Sequence, residues 1–290
     1  MESLLHDISW VVPLRGPVLT PIFRGFTWLG YMPFFMIFLS LGYWLWDKDK
    51  ITRLAVLIAL SGLLNAYLKD FWQDPRPALE YRLDGEVGDS YGLPSGHMQI
   101  ATVMWLWLAW EIRKAWAWIA AVILISGVGF SRIYLGVHDV EDVSVGFVLG
   151  LTNLALFGWF ISDHFRRWHD LHPAWQVALI LLLQPVLYYV WPDEDGPGYA
   201  LSLGLFLAGW WAGAKINEHR FDFQRHPEWW AVVAAGAIGI VGLFALLNGV
   251  SKATAALGLG DAGPHITVLF IALYMTVLAP LAFRIARIGR

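Results

Sequence analysis

Ser131-Arg132-Ile133-Tyr134-Leu135-Gly136-Val137-His138-Asp139-Val140-Glu141-Asp142 sets an arginine, a histidine and three acids between two long apolar runs. Ionisable groups at the mouth of a membrane span are expensive, and they mark function. His138 and Asp142 are four residues apart, which puts both side chains on one face if a helix begins here. The carboxylate then accepts a hydrogen bond from one ring nitrogen and leaves the other unprotonated, as a nucleophile or base. Arg132 adds a planar fork of donors suited to phosphate oxygens. A plainer role for the acids competes: Asp139 as the cap of the next helix, with Asp142 completing a capping arrangement three residues on.

Outward from this stretch, the apolar residues come in blocks. The chain has 290 residues, 58% of them hydrophobic and only 15% charged, with 18 Trp. Blocks of about 20 apolar residues are long enough to cross a bilayer. The fold class expected is an all-α polytopic membrane protein with about nine spans: 21–46, 52–71, 97–112, 115–134, 141–162, 174–191, 198–216, 229–248 and 265–286. Trp44, Trp46, Trp72, Trp168, Trp175, Trp191, Trp229 and Trp230 lie near their ends, as in interfacial aromatic belts. A net charge of −3 argues against nucleic acid as a partner. With no cysteine, disulfides, thiolate metal sites and cysteine nucleophiles are excluded. Residues 1–17 lack the pattern of a cleaved signal peptide and are expected to form a short amphipathic helix at the interface.

Nine crossings sort the connections onto two faces. The face opposite the N-terminus collects thirteen of the 20 Lys and Arg: Lys48, Lys50, Arg53, Arg113, Lys114, Arg166, Arg167, Lys215, Arg220, Arg225, Arg284, Arg287 and Arg290. The N-terminal face holds seven, and Lys69, Arg76 and Arg132 among them are candidates for chemistry. Basic residues accumulate on the cytoplasmic side. The N-terminus, the polar linker 72–96 and the 131–142 stretch are therefore expected outside, and the C-terminus in the cytoplasm.

The linker is bracketed by groups that could bind an anion. It follows Lys69 and contains Asp74-Pro75-Arg76-Pro77, whose prolines turn the chain back along the interface. It closes with Tyr91-Gly92-Leu93-Pro94-Ser95-Gly96-His97. Ser95 is expected to cap the third span, leaving the amides of Gly96 and His97 at a helix N-terminus, which attracts anions. His97 can hold or release a proton near neutral pH. Three cations, a helix N-terminus and two histidines on one face suit in-line displacement at phosphorus. The cations neutralise the equatorial oxygens, one histidine attacks, and the other protonates the leaving oxygen.

Lys69…Arg76-Pro77, Pro94-Ser95-Gly96-His97 and Ser131-Arg132…His138…Asp142 together closely resemble the three-part signature of the type 2 phosphatidic acid phosphatase superfamily. The resemblance implies a six-helix core over about residues 20–191 and a metal-independent phosphatase. It assigns His138 as the nucleophile that becomes phosphohistidine, Asp142 as the group that orients it, and His97 as the acid for the leaving group. It assigns Lys69, Arg76, Ser95, Gly96 and Arg132 to the phosphate. No cofactor and no metal are implied. The wording around these motifs is similar to the sphingosine-1-phosphate and long-chain-base phosphate phosphatases, which also carry spans after the core.

The expected organisation is a catalytic membrane core over 1–191 and three further spans over 192–290. The expected activity is hydrolysis of a lipid phosphate, such as phosphatidic acid or sphingosine-1-phosphate, on the extracytoplasmic face of a bacterial inner membrane. The partners are that substrate and membrane lipids, and a homo-oligomer is compatible with the small-residue spans. The alternatives are a polyprenyl diphosphate phosphatase, a lipid phosphotransferase, and a non-catalytic lipid-binding or transport protein. Glu80, Asp84, Glu86, Asp89, Asp139 and Glu141 cluster in and beside the linker, either as a solvated acidic surface or as selectors of an amine-bearing substrate.

Overall fold

The computed structural model describes residues 5–88, 90–161, 168, 170–193 and 196–290. In chain order its α-helices are α1 Leu19–Trp28, α2 Met32–Leu45, α3 Lys48–Trp72, α4 Gly96–Ile112, α5 Ala115–Tyr134, α6 Val140–Ile161, α7 Pro173–Val190, α8 Gly198–Arg220, α9 Trp229–Ala256, α10 Ala262–Leu273 and α11 Ala279–Ile285. A π-helical turn, Tyr274–Leu278, joins the last two.

Each expected span falls on helix among the described residues, which do not confirm the count of nine. Among the described residues six helical stretches are long and apolar enough to cross a bilayer, or seven if α1 and α2 are one span bent by 56°. Helix α4, with 17 residues, reaches about 26 Å at 1.5 Å per residue, short of a hydrocarbon core of about 30 Å. Helix α8 ends on Lys215, Asn217, Glu218, His219 and Arg220, polar residues that break its apolar run.

The chain packs as two compact units, residues 1–35, 60–164 and 191–196 in the first, and 36–59, 165–190 and 197–290 in the second. In the first, α4 lies against α5 and α6, and α1 against α5. Helix α6 meets α4 at glycines one turn apart. A Cβ on Gly146 would come within 2.6 Å of the Ser95 carbonyl oxygen, and one on Gly150 within 2.6 Å of Thr102 Cβ. Small residues let helices approach closely where lipid supplies no hydrophobic drive between them. This contact sets the start of α6 beside the start of α4.

Buried amides join α3 to the same pair. Asn65 Nδ2 donates to Gln99 Oε1 at 2.9 Å and to the Pro94 carbonyl at 3.2 Å, and Gln99 Nε2 donates to the Ser61 carbonyl at 3.1 Å. Asn153 Nδ2 on α6 donates to Ser61 Oγ at 3.0 Å. Amides placed this deep must find partners, and by doing so they fix how the helices are turned towards one another. Trp191, expected in an aromatic belt, is instead buried and donates from Nε1 to Asp70 Oδ2 at 2.8 Å. At the N-terminus a 3-10 helix, Ser9–Leu14, turns Ile8 and Val11 inward onto Ile133 and leaves Trp10, Val12 and Leu14 exposed.

The second unit is organised around α8, which packs on α7 and α10. Pro280 has no N–H to give the Thr276 carbonyl one turn back. Asn217 Nδ2 satisfies that oxygen at 2.9 Å, and Trp44 Nε1 donates to the neighbouring Met275 carbonyl at 2.7 Å. The π-helical turn thus has its released acceptors filled from within the unit. Trp44 is buried for this reason rather than lying in a belt.

Candidate active site

All eight candidate residues lie in the first unit. Lys69 is in the last turn of α3, and Arg76 follows in the linker. Ser95, Gly96 and His97 open α4, Arg132 is near the end of α5, and His138 and Asp142 flank the start of α6. The turn before α6 is tight. Gly136 has φ of +72° and lies so near the Tyr81 carbonyl that a Cβ there would collide with it.

His138 is held at both ring nitrogens. Nδ1 is 2.8 Å from Asp142 Oδ2, and Nε2 is 3.1 Å from the NH1 of Arg76. Guanidinium has no acceptor, so Nε2 must present a lone pair and Nδ1 must carry the proton. The contacts thereby settle the tautomer as Nδ1–H, with a lone pair on Nε2. Burial pushes the His138 pKa well below the ordinary histidine value, and the charges of Lys69, Arg76, Arg132 and His97 push it the same way.

Capping and orientation are served by the same acids. Asp139 Oδ1 accepts the Asp142 N–H at 2.9 Å, and the Asp139 N–H points back to Asp142 Oδ2 at 3.3 Å. Asp142 therefore closes a reciprocal cap and orients His138 with one oxygen. The cap and the contact to His138 are thus both present in the structure.

The cations are fastened by backbone carbonyls. Lys69 Nζ donates to Gly92 O at 2.9 Å and also to Tyr91 O. Arg76 donates from Nε to Ser90 O at 2.6 Å, from NH2 to Ser90 Oγ at 2.9 Å, and from NH1 to Val137 O at 2.7 Å. Burial, followed by the neighbouring Arg132, lowers the Arg76 pKa to about 10, so it remains a cation at neutral pH.

Arg132 is fully buried, and its NH1 donates to Asp84 Oδ2 at 2.9 Å and to Thr27 Oγ1. Its Nε and NH2 have no partner among the described residues, nor do Ser95 Oγ and His97 Nε2. Buried donors are rarely left unmet, and the Nε–NH2 edge of arginine matches two oxygens of one phosphate. Ser95 sits at the N-cap of α4 without a side-chain capping bond. The expected cap is thus replaced by a buried hydroxyl with no partner among the described residues.

Asp84 was open to a solvated or amine-selecting role, and the structure assigns neither. It is 8% exposed, accepts from Tyr31 Oη, and pairs with Arg132. Burial alone would raise its pKa, but the Tyr31 hydrogen bond and the Arg132 charge outweigh it and hold the carboxyl below the usual aspartate range. Tyr31 also meets the His97 ring edge to face at 5.1 Å between centroids. Asp139 is buried and fully engaged as well, leaving Glu80, Glu86 and Glu141 as the accessible acids. Asp89, Arg166 and Arg167 lie outside the described residues. Sequence reasoning missed Thr27, Tyr31, Asn65 and Gln99, none of which stands in a recognisable motif.

Known proteins resemble the stretch of chain that carries these residues. The family profile described as PAP2 superfamily matches residues 50–166, which include every residue of the cluster from Lys69 to Asp142. Phosphatidylglycerophosphatase B of Bacillus subtilis is 31% identical over 153 residues, covering 48% of this chain and 74% of that protein. The chain belongs to the PAP2 superfamily. A dihydrosphingosine 1-phosphate phosphatase of Schizosaccharomyces pombe is 26% identical, over 72% of this chain and 56% of its own length. This PAP2 chain thus spans little more than half of that relative. Among solved structures, the PAP2-type phosphatidylglycerolphosphate phosphatase from Bacillus subtilis aligns over 53% of this chain and 81% of that one, at 30% identity and a TM-score of 0.47.

Proposed function

We propose that this PAP2 member is a multi-pass membrane enzyme that hydrolyses a lipid phosphomonoester through a phosphohistidine on His138. The observation that carries the reading is the His138 imidazole fixed between Asp142 and Arg76, with the charges of Lys69, Arg76 and Arg132 acting on it and with Arg132, Ser95 and His97 each holding a buried polar atom that has no partner among the described residues. A phosphate seated there would take the Nε–NH2 edge of Arg132, the hydroxyl of Ser95, the amide of Gly96, and the charges of Lys69 and Arg76.

In the first step Nε2 forms a bond to phosphorus while the P–O bond to the lipid breaks, and His97 gives its proton to the departing alkoxide. The arriving phosphate offsets the field of the three cations, which allows His97 to carry that proton. Asp142 stabilises the charge that develops on His138. A water then attacks phosphorus, His97 takes its proton, the P–N bond breaks, and inorganic phosphate leaves. The three cations supply the charge neutralisation that a metal supplies elsewhere.

If the chain crosses nine times as the sequence suggests, the thirteen basic residues share the face opposite the N-terminus, which supports an extracytoplasmic site, an outside N-terminus and a cytoplasmic C-terminus; a bacterial inner membrane is the location proposed with it. Catalysis belongs to residues 1–191, and 192–290 add further spans. The names of its relatives point to long-chain-base phosphates and phosphatidylglycerol phosphate as first substrates to try. The test is phosphate release by purified protein from sphingosine-1-phosphate, phosphatidic acid, phosphatidylglycerol phosphate and undecaprenyl diphosphate. Release from the monoesters that is abolished in folded His138→Ala is expected. Full activity in that variant refutes the assignment, and a preference for the diphosphate redirects it to polyprenyl carriers.

A further inference from the structure

Both ring nitrogens of His6 face carboxylates, Nδ1 at 2.7 Å from Asp139 Oδ2 and Nε2 at 3.1 Å from Glu141 Oε2. A neutral imidazole has one N–H and would turn a lone pair to one of these anions. The geometry is therefore that of an imidazolium, hydrogen-bonded through Nδ1 to Asp139 and ion-paired through Nε2 with Glu141, the reverse of His138, one of whose nitrogens meets a donor.

What His6 grips is the cap that orients the proposed nucleophile. Asp139 gives Oδ2 to His6 and Oδ1 to the Asp142 N–H, and Asp142 Oδ2 receives Nδ1–H of His138. The segment carrying His6 is tied to the same turn elsewhere. Leu5 O accepts the Val140 N–H at 3.1 Å, Ile8 and Val11 pack on Ile133, and Arg15 NH2 donates to the Tyr134 carbonyl at 3.0 Å and to that of Tyr81. Asp139, Glu141 and Asp142 place three carboxylates within four residues, and like charges so close push apart unless a cation lies between them.

We propose that His6 is a positioning residue for the reaction assigned above: as an imidazolium it clamps Asp139 and Glu141, fixes the first turn of α6, and so holds Asp142 on His138. The inference rests on that reading of the reaction and adds a residue from outside the three motifs. The charged groups that act on His6 are Asp139, Glu141 and Asp74. The Asp139 hydrogen bond is the largest cause raising its pKa above the ordinary histidine value. The sign follows: the clamp is complete below the unfolded-state pKa and is lost as pH rises through the higher folded one.

The experiment measures kcat and KM for phosphate release from a lipid phosphomonoester, from mildly acidic to alkaline pH, in wild type, His6→Ala and His6→Arg. A misplacement of about 1 Å costs on the order of a hundredfold in rate, so a loosened but present Asp142 should cost about tenfold. His6→Ala is expected to lose about that much kcat at neutral pH with little change in KM. His6→Arg, always charged, should keep most of kcat and lose the alkaline decline shown by wild type. Wild-type kcat and pH profile in His6→Ala, or an arginine variant no better than alanine, overturns the role. If His6→Ala does not fold, the arginine profile decides, and an alkaline fall that persists there is the refuting result. Wild type that releases no phosphate overturns the assigned reaction and the positioning role with it, whereas active wild type with indifferent His6 variants overturns only the role of His6.

Discussion

Removing Asp84 should expose how the Arg132 charge is carried before any phosphate arrives. Arg132 has no solvent exposure, and its one anionic partner among the described residues is Asp84, itself 7% exposed at the side chain, at 2.9 Å. Deleting one partner of a buried pair leaves an uncompensated charge and typically costs about 3–5 kcal/mol. Asp84→Ala should therefore destabilise by about that amount. Asp84→Asn keeps an acceptor but loses the charge, and should cost about 1–2 kcal/mol, the gap between a charge-assisted and a neutral hydrogen bond. Unfolding in detergent can be followed by intrinsic fluorescence, since the chain has 18 Trp and no Cys for thiol probes. The decisive comparison adds orthovanadate or inorganic phosphate. An anion bound at Arg132 replaces the missing charge, so the ligand should stabilise Asp84→Ala by more than it stabilises wild type. The Asp84 carboxyl titrates below the usual aspartate range. Its contribution should hence persist from mildly acidic to neutral pH and disappear only on stronger acidification, as pH falls through the lowered value. An Asp84→Ala variant within about 0.5 kcal/mol of wild type, the range of an ordinary surface change, would refute the buried pair. So would equal stabilisation of both proteins by phosphate.

Other outcomes follow from the same contacts. His138 is buried among cations that depress its pKa, so the acid limb of kcat/KM should fall well below the ordinary histidine value. A rate that titrates upward through neutrality would contradict an Nε2 lone pair held ready by Arg76. Asn65→Leu removes the donor to Gln99 Oε1 and Pro94 O and should cost about 1–3 kcal/mol, read as a lowered unfolding temperature. At Gly136 the positive φ and the nearby Tyr81 carbonyl leave no room for a Cβ. Gly136→Ala should lose more than about 1 kcal/mol, with kcat falling as the turn before His138 shifts. In the proposed chemistry Lys69, Arg76 and Arg132 carry the phosphate charge, so turnover should survive EDTA, and a loss restored by Mg²⁺ would contradict that chemistry.

The sequence by itself determined the helical membrane class and singled out eight candidate residues, all of which lie in the first unit. Both are written locally: apolar runs declare spans, and spaced polar residues at their ends stand out because lipid tolerates few of them. The helix ends at 115–134 could be read to the residue for that reason. Hydropathy could not show that the first expected span bends by 56°, or that Trp44 and Trp191 turn inward, because bends and burial depend on what packs alongside. Only the tertiary structure decided which acid serves which base. Arg132 meets Asp84 across 48 residues, and Thr27 across 105. His6 meets Asp139 across 133. Separations of that size carry no periodic signal, and the partner of a buried charge is chosen by which loop folds over it. The tautomer of His138 belongs to the same class of fact. It follows from an arginine 62 residues away whose N–H can only donate.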